Sequence, residues 1–83
     1  MKVYAVIVEY DPYVNYSDIE SRAELSIAGV FKSKQKAVDI RNDLAREEAR
    51  ECNVKIDAKD YKDSEKHLNV LSTEYYIQEF DVE

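Results

Sequence analysis

Hydrophobic positions along the chain fall into two alternating stretches, one helical stretch and one alternating finish, separated by polar segments. Lys2 to Tyr10 has apolar side chains in both alternating sets: Val3, Ala5 and Ile7 in one, Tyr4, Val6, Val8 and Tyr10 in the other. A strand apolar on both faces belongs in the middle of a sheet. Asp11-Pro12 ends the run, since proline cannot donate to a ladder. A polar, Tyr-containing connection follows as far as Arg22. From about Ala23 to Phe31 a second strand is expected, with Leu25, Ile27, Gly29 and Phe31 on one face and Glu24, Ser26, Ala28 and Val30 on the other. It should pair with the first as an antiparallel hairpin. Gly29, the only glycine, lies near the strand end, a place for a bulge or a close approach of the next element.

Ser33 is a good helix cap, and the helix should run to about Cys52 or Asn53. At ~100° per residue Ala37, Ile40 and Leu44 cluster on one side and Val38, Ala45, Ala49 and Cys52 about a quarter-turn away. Arg41 and Glu48 fall between the two clusters. The segment Asn53 to Lys66 is polar and mixed in charge and reads as a mobile connection, with Val54 and Ile56 as a short extended piece. The last strand is expected from about Thr73 to Val82, with Tyr76, Phe80 and Val82 on one face and Tyr75 and Ile77 on the other. The pattern predicts an α+β fold of β-β-α-β order. It is a three-stranded, mainly antiparallel sheet of order 2-1-3, with one helix packed on one face.

One helix can cover only one face of that sheet, yet apolar residues occur on both. The uncovered face needs the Asn53–Lys66 loop, a second copy of the chain, or another protein.

Length and charge narrow the options. At 83 residues there is room for one domain, residues 1–83, whose core is small enough that self-association would add useful stability. A net charge of −6 repels phosphates and anionic lipid, which argues against direct nucleic-acid or membrane binding and suits a partner with a basic surface. Cys52 is the only cysteine, so no intrachain disulfide forms, and a reducing cytoplasmic setting is the expected localisation.

Catalytic chemistry finds little purchase. One His and one Cys cannot furnish a zinc site, and Asp11, Asp18 and Glu20 lack the spacing of a calcium loop. Cys52 has no histidine at helical spacing to activate it, and one glycine cannot make a phosphate-cradling turn. His67 reads as a surface loop residue. No cofactor or metal is expected, and an enzyme is the less favoured class. The informative stretch is Glu9 to Glu24. It places Tyr10, Tyr13 and Tyr16 among Glu9, Asp11, Asp18 and Glu20, with Arg22 as its only basic residue. Tyrosines supply rigid contact area and the carboxylates can pair with Arg or Lys of a partner. These residues, with Tyr76 and Phe80 of the last strand, are the candidate partner-binding set. The competing reading folds the tyrosines back over the sheet. A structural homo-oligomer and a small-molecule sensor or enzyme are the alternatives to a binding module.

Three blocks, Met1-Lys2-Val3-Tyr4-Ala5-Val6, Ile27-Ala28-Gly29-Val30-Phe31-Lys32-Ser33-Lys34 with Ala37, and Tyr75-Tyr76-Ile77-Gln78-Glu79-Phe80, resemble a small bacterial and phage single-domain family of unknown function. The resemblance implies a β-β-α-β domain and carries no catalytic residues. The chain departs from it in a longer first loop and a longer insert after the helix. A phage-type inhibitor or regulator of a host protein is the class such a resemblance suggests.

Overall fold

The computed structural model describes residues 1–10 and 24–83. The elements are β1 (Lys2–Tyr10), β2 (Glu24–Phe31), α1 (Lys34–Glu51), α2 (Ala58–Lys62), β3 (Leu68–Val70) and β4 (Thr73–Asp81). They form an α+β fold with an antiparallel sheet of four strands in the order β2-β1-β4-β3. The expected 2-1-3 arrangement is its core, with β4 as the third member and antiparallel to β1. The count of three strands is corrected by β3, which pairs with β4 through Leu68↔Tyr75 and Val70↔Thr73. A three-residue strand is too short to leave an alternating signature.

Opposed residues of antiparallel strands share a face, so the register assigns every side chain. Val6, Val8, Tyr75, Ile77, Leu68 and Val70 point to the helix side. There Leu68, Val70 and Tyr75 pack with Ala45 and Ala49 of α1, and Val8, Leu44, Cys52, Val54, Ile56 and Tyr61 close the cluster. The small alanines let α1 lie close to the sheet. Val6, Leu68 and Val70 are almost fully inaccessible to water, and burial of such a side chain stabilises by about 1.5–3 kcal/mol.

In β2 the expected face assignment fails at one residue. Val6 opposes Gly29 while Ile7 opposes Ile27, so Ala28 is an extra residue, a β-bulge. Alternation slips by one at that point. Leu25, Ile27 and Val30 therefore share the helix-free face, and Gly29 and Phe31 turn to the helix side. The phenyl ring of Phe31 folds over Gly29, where an added Cβ would sit 2.7 Å from a ring carbon. A side chain at this position would have to push the ring aside, which glycine avoids.

Helix α1 begins as the sequence indicates, with Ser33 Oγ accepting the amide of Lys36 at 3.2 Å. It ends in a Schellman motif: Val54 N–H donates to Ala49 O at 2.8 Å and Asn53 N–H to Arg50 O at 3.3 Å. Asn53 takes φ 57°, the left-handed conformation that Asn tolerates.

The expected mobile connection after the helix is instead a folded clasp containing α2, whose first turn is capped by Asp57 Oδ1. Arg41, buried with 0% exposure, organises it. Its Nη1 donates to the carbonyls of Asp63 (2.8 Å) and Lys66 (3.0 Å), and its Nη2 to that of Tyr61 (3.0 Å). Nε and Nη2 also donate to Asn42 Oδ1, while Asn42 Nδ2 donates to Tyr61 O at 2.8 Å. A chain of polar residues is thus ordered by carbonyl groups converging on one cation, which hydrophobic periodicity does not register.

Candidate functional site

With Val54, Ile56 and Tyr61 drawn into the core on the helix side, the 53–66 segment does not cover the opposite face. That face is built from Val3, Ala5, Ile7 and Glu9 of β1, their partners Phe80, Gln78, Tyr76 and Glu74 on β4, and Val30, Ile27 and Leu25 of β2. Ala5 and Ile7 are buried at its centre. Leu25, Ile27 and Val30 are 58%, 57% and 56% exposed and Phe80 43%, an uncommon concentration of large apolar side chains in water.

Polar groups gather at one end. Glu9 and Glu74 are direct cross-strand neighbours, and each carboxylate has its own partner. Tyr76 O–H donates to Glu9 Oε1 at 3.3 Å. Burial, followed by the nearby Glu9 carboxylate, pushes the Tyr76 phenol above its ordinary range, so it remains a proton donor. His67 Nδ1 lies 2.6 Å from Glu74 Oε1, and its ring stacks flat on Tyr76 with centroids 4.3 Å apart and planes 9° apart. An ionised Glu74 can only accept, so Nδ1 carries the proton of this contact. The two carboxylates, which would repel if bare, are thereby held by a phenol and an imidazole. The His67 and Glu74 side chains are each part-exposed, at 49% and 31%.

The structure thus brings together Glu9, Tyr76 and Phe80 from the sequence-based set, with Tyr10 at the end of β1 and 42% exposed. Register places Tyr10 on the helix side, opposite Thr73. Asp11, Tyr13, Tyr16, Asp18 and Glu20 lie outside the described residues. His67 and Glu74 were not among the candidates. Their signal was available only in part, because His67 meets Tyr76 through the unforeseen β3–β4 hairpin. Leu25, Ile27 and Val30 were missed as a set because the bulge, invisible to alternation, is what unites them.

The remaining concavities are open grooves. One of about 820 Å³ runs between α1 and α2, lined by Lys34, Asn42, Arg46, Tyr61, Lys62 and Ser64 among others. In it the Arg46 guanidinium lies over the Tyr61 ring, 4.6 Å from its centroid. Another of about 330 Å³ lies beside His67, Leu68 and Asn69. Among the described residues no group of three or more His, Cys, Asp or Glu side chains is placed to hold a metal ion. No helix among them is long and apolar enough to cross a membrane.

Comparison with known proteins adds no relative to this geometry: no family model, no curated protein and no solved structure matches the chain.

Proposed function

We propose that this chain is a protein-binding module that presents the helix-free face of its sheet to a basic surface of another protein. The observation that carries this reading is the coplanar exposure of Leu25, Ile27, Val30 and Phe80 beside Glu9 and Glu74. Apolar side chains at the centre of such a patch provide the area whose desolvation drives association. The flanking carboxylates select the sign of the partner's charge and speed its approach, as does the overall charge of −6. Glu79 and Asp81 contribute less to that field, because Lys2 and the N-terminal ammonium each lie 3.4 Å from them. Where the basic surface is itself a ligand site, occupation by this module would inhibit the protein that carries it.

The test is affinity capture with the immobilised chain at low and high salt, run beside the double variant Ile27→Asp/Phe80→Asp and a control, Glu47→Lys, on the exposed side of α1. The proposal expects a partner held by parent and control, lost with the double variant, and weakened by salt. A partner held equally by the double variant would place binding elsewhere.

A further inference from the structure

The outer edge of β2 is a second feature, independent of the sheet face. β2 ends the sheet, hydrogen-bonded to β1 on one side only among the described residues. Edge strands of soluble proteins are ordinarily short or guarded by lysine, proline or inward-pointing charge. The other edge, β3, has three residues; β2 has eight, Glu-Leu-Ser-Ile-Ala-Gly-Val-Phe, charged only at its first. Its bulge at Ala28 is the one protective device it carries.

We propose that β2 pairs antiparallel with β2 of a second copy of this chain, joining two sheets into one continuous sheet across a twofold axis. Two observations bear on a second copy. The first, the match of faces, holds for any strand reversed about one of its own positions, so it limits the register and does not choose the partner. With the bulge counted as one position, centring the axis on Ile27–Ala28 sets Leu25 opposite Val30 of the second copy, Ser26 opposite Gly29 and Glu24 opposite Phe31. Every one of these pairs then shares a face, since Leu25 and Val30 are on the helix-free side and the others on the helix side. A register moved by one residue sets Leu25 against Phe31, on opposite faces, and cannot form. The second is the charge polarity of the edge. Glu24 and Glu9 stand at one end, and Lys32, Lys34 and Lys36 follow the other. Antiparallel pairing sets each acidic end beside the basic end of the other copy, which offsets part of the repulsion between two chains of −6; parallel pairing would not.

Pairing through one eight-residue edge buries less than the ~1,200 Å² of a standard stable interface, so the dimer dissociates in the micromolar to millimolar range. It would also align Leu25, Ile27 and Val30 of both copies into one apolar band, doubling the surface available on the helix-free face.

Sedimentation equilibrium from micromolar to millimolar chain tests this, with Ile27→Lys and Val30→Lys as edge variants. Both positions are more than half exposed, so the folded monomer is retained and circular dichroism checks it. The expected result is a mass rising from 9.7 kDa toward twice that value for the parent, with dissociation at least tenfold easier for each variant. Mixed-isotope NMR should then show backbone contacts between copies near Ser26 and Gly29. A parent monomeric at millimolar concentration overturns the proposal and leaves the edge to a different polypeptide. Intermolecular contacts confined to Phe80 and Tyr76, or dimers unaffected by both lysines, overturn it too, in favour of face-to-face stacking.

Discussion

Replacing Arg41 by Ala should loosen the clasp after α1 and cost about 2–4 kcal/mol, and the structure shows where that figure arises. The guanidinium bonds to the carbonyls of Tyr61, Asp63 and Lys66. After truncation Tyr61 O keeps Asn42 Nδ2 and Asp63 O keeps the amide of Lys66. Lys66 O is the acceptor left most exposed to loss, and an orphaned buried acceptor costs about 1–3 kcal/mol. Removal of the buried aliphatic stem adds about 1–2 kcal/mol. One effect works in the other direction. Burial holds the Arg41 guanidinium below its ordinary range despite the opposing pull of Asp63, so taking the charge away relieves a desolvation cost. The carbonyl bonds outweigh it because they engage every N–H of the group, which stays protonated at any ordinary pH.

A chain of this length has a total stability of about 4–12 kcal/mol, so the loss is a large fraction. At roughly 4–8 °C per kcal/mol, the melting temperature should fall by about 10–25 °C. Arg41→Met, which keeps the stem, should lie between parent and Arg41→Ala. Amide exchange gives the local reading: residues 58–67 should lose protection first, before the centre of β1. An Arg41→Ala protein melting within about 2 °C of the parent, with unchanged protection in that segment, would refute the account of the clasp.

Three other outcomes follow from particular residues. Leu71, 73% exposed in the tight turn between β3 and β4, has φ 54°, which costs a non-glycine residue about 1–2 kcal/mol; Leu71→Gly should raise stability by up to ~1 kcal/mol in urea titration. Gly29→Ala should cost about 1 kcal/mol by driving the Phe31 ring off the strand, and should cost less when Phe31 is already Ala, which a double-mutant cycle measures. Burial, then Glu48 and Glu51, push the Cys52 thiol up, and burial, then Glu48, pushes the Tyr75 phenol up. Both groups are acids whose neutral form the fold favours, so their contribution is intact below the unfolded values near 8.5 and 10 and is lost as pH rises through the higher folded ones. Melting temperature should therefore fall from about pH 9 upward, and alkylation of Cys52 at pH 8 should be slower than in denatured chain; a flat profile and equal rates would contradict both.

Alternation revealed β1, β2 and β4, and a serine cap with alanine spacing revealed α1, because those elements bury long periodic surfaces. What escaped was held together by single residues. α2 and β3 depend on Arg41 and on a hairpin turn two residues long, and neither leaves a period. Arg41 itself sat between two apolar clusters in the helical projection, a position that looked like a boundary and is the centre of a polar network. The candidate site was legible to the same degree. Tyr76 and Phe80 follow from simple alternation, whereas the partnership of Leu25, Ile27 and Val30 depends on one inserted residue.

That inserted residue links the fold to the proposed binding face. Without the bulge at Ala28, strict alternation would put Leu25 and Ile27 on one side of β2 and Val30 on the other, where α1 would meet it. Phe31 and Gly29, two residues apart, would then turn together to the side away from the helix. With the bulge, the apolar side chains of the edge strand collect on the face that α1 does not cover. Deleting Ala28 would make Ile27 and Gly29 consecutive and leave Leu25, Ile27 and Val30 on the helix-free face in simple alternation. The apolar exposure and the edge pairing should therefore both survive the deletion, which sedimentation equilibrium of that variant checks.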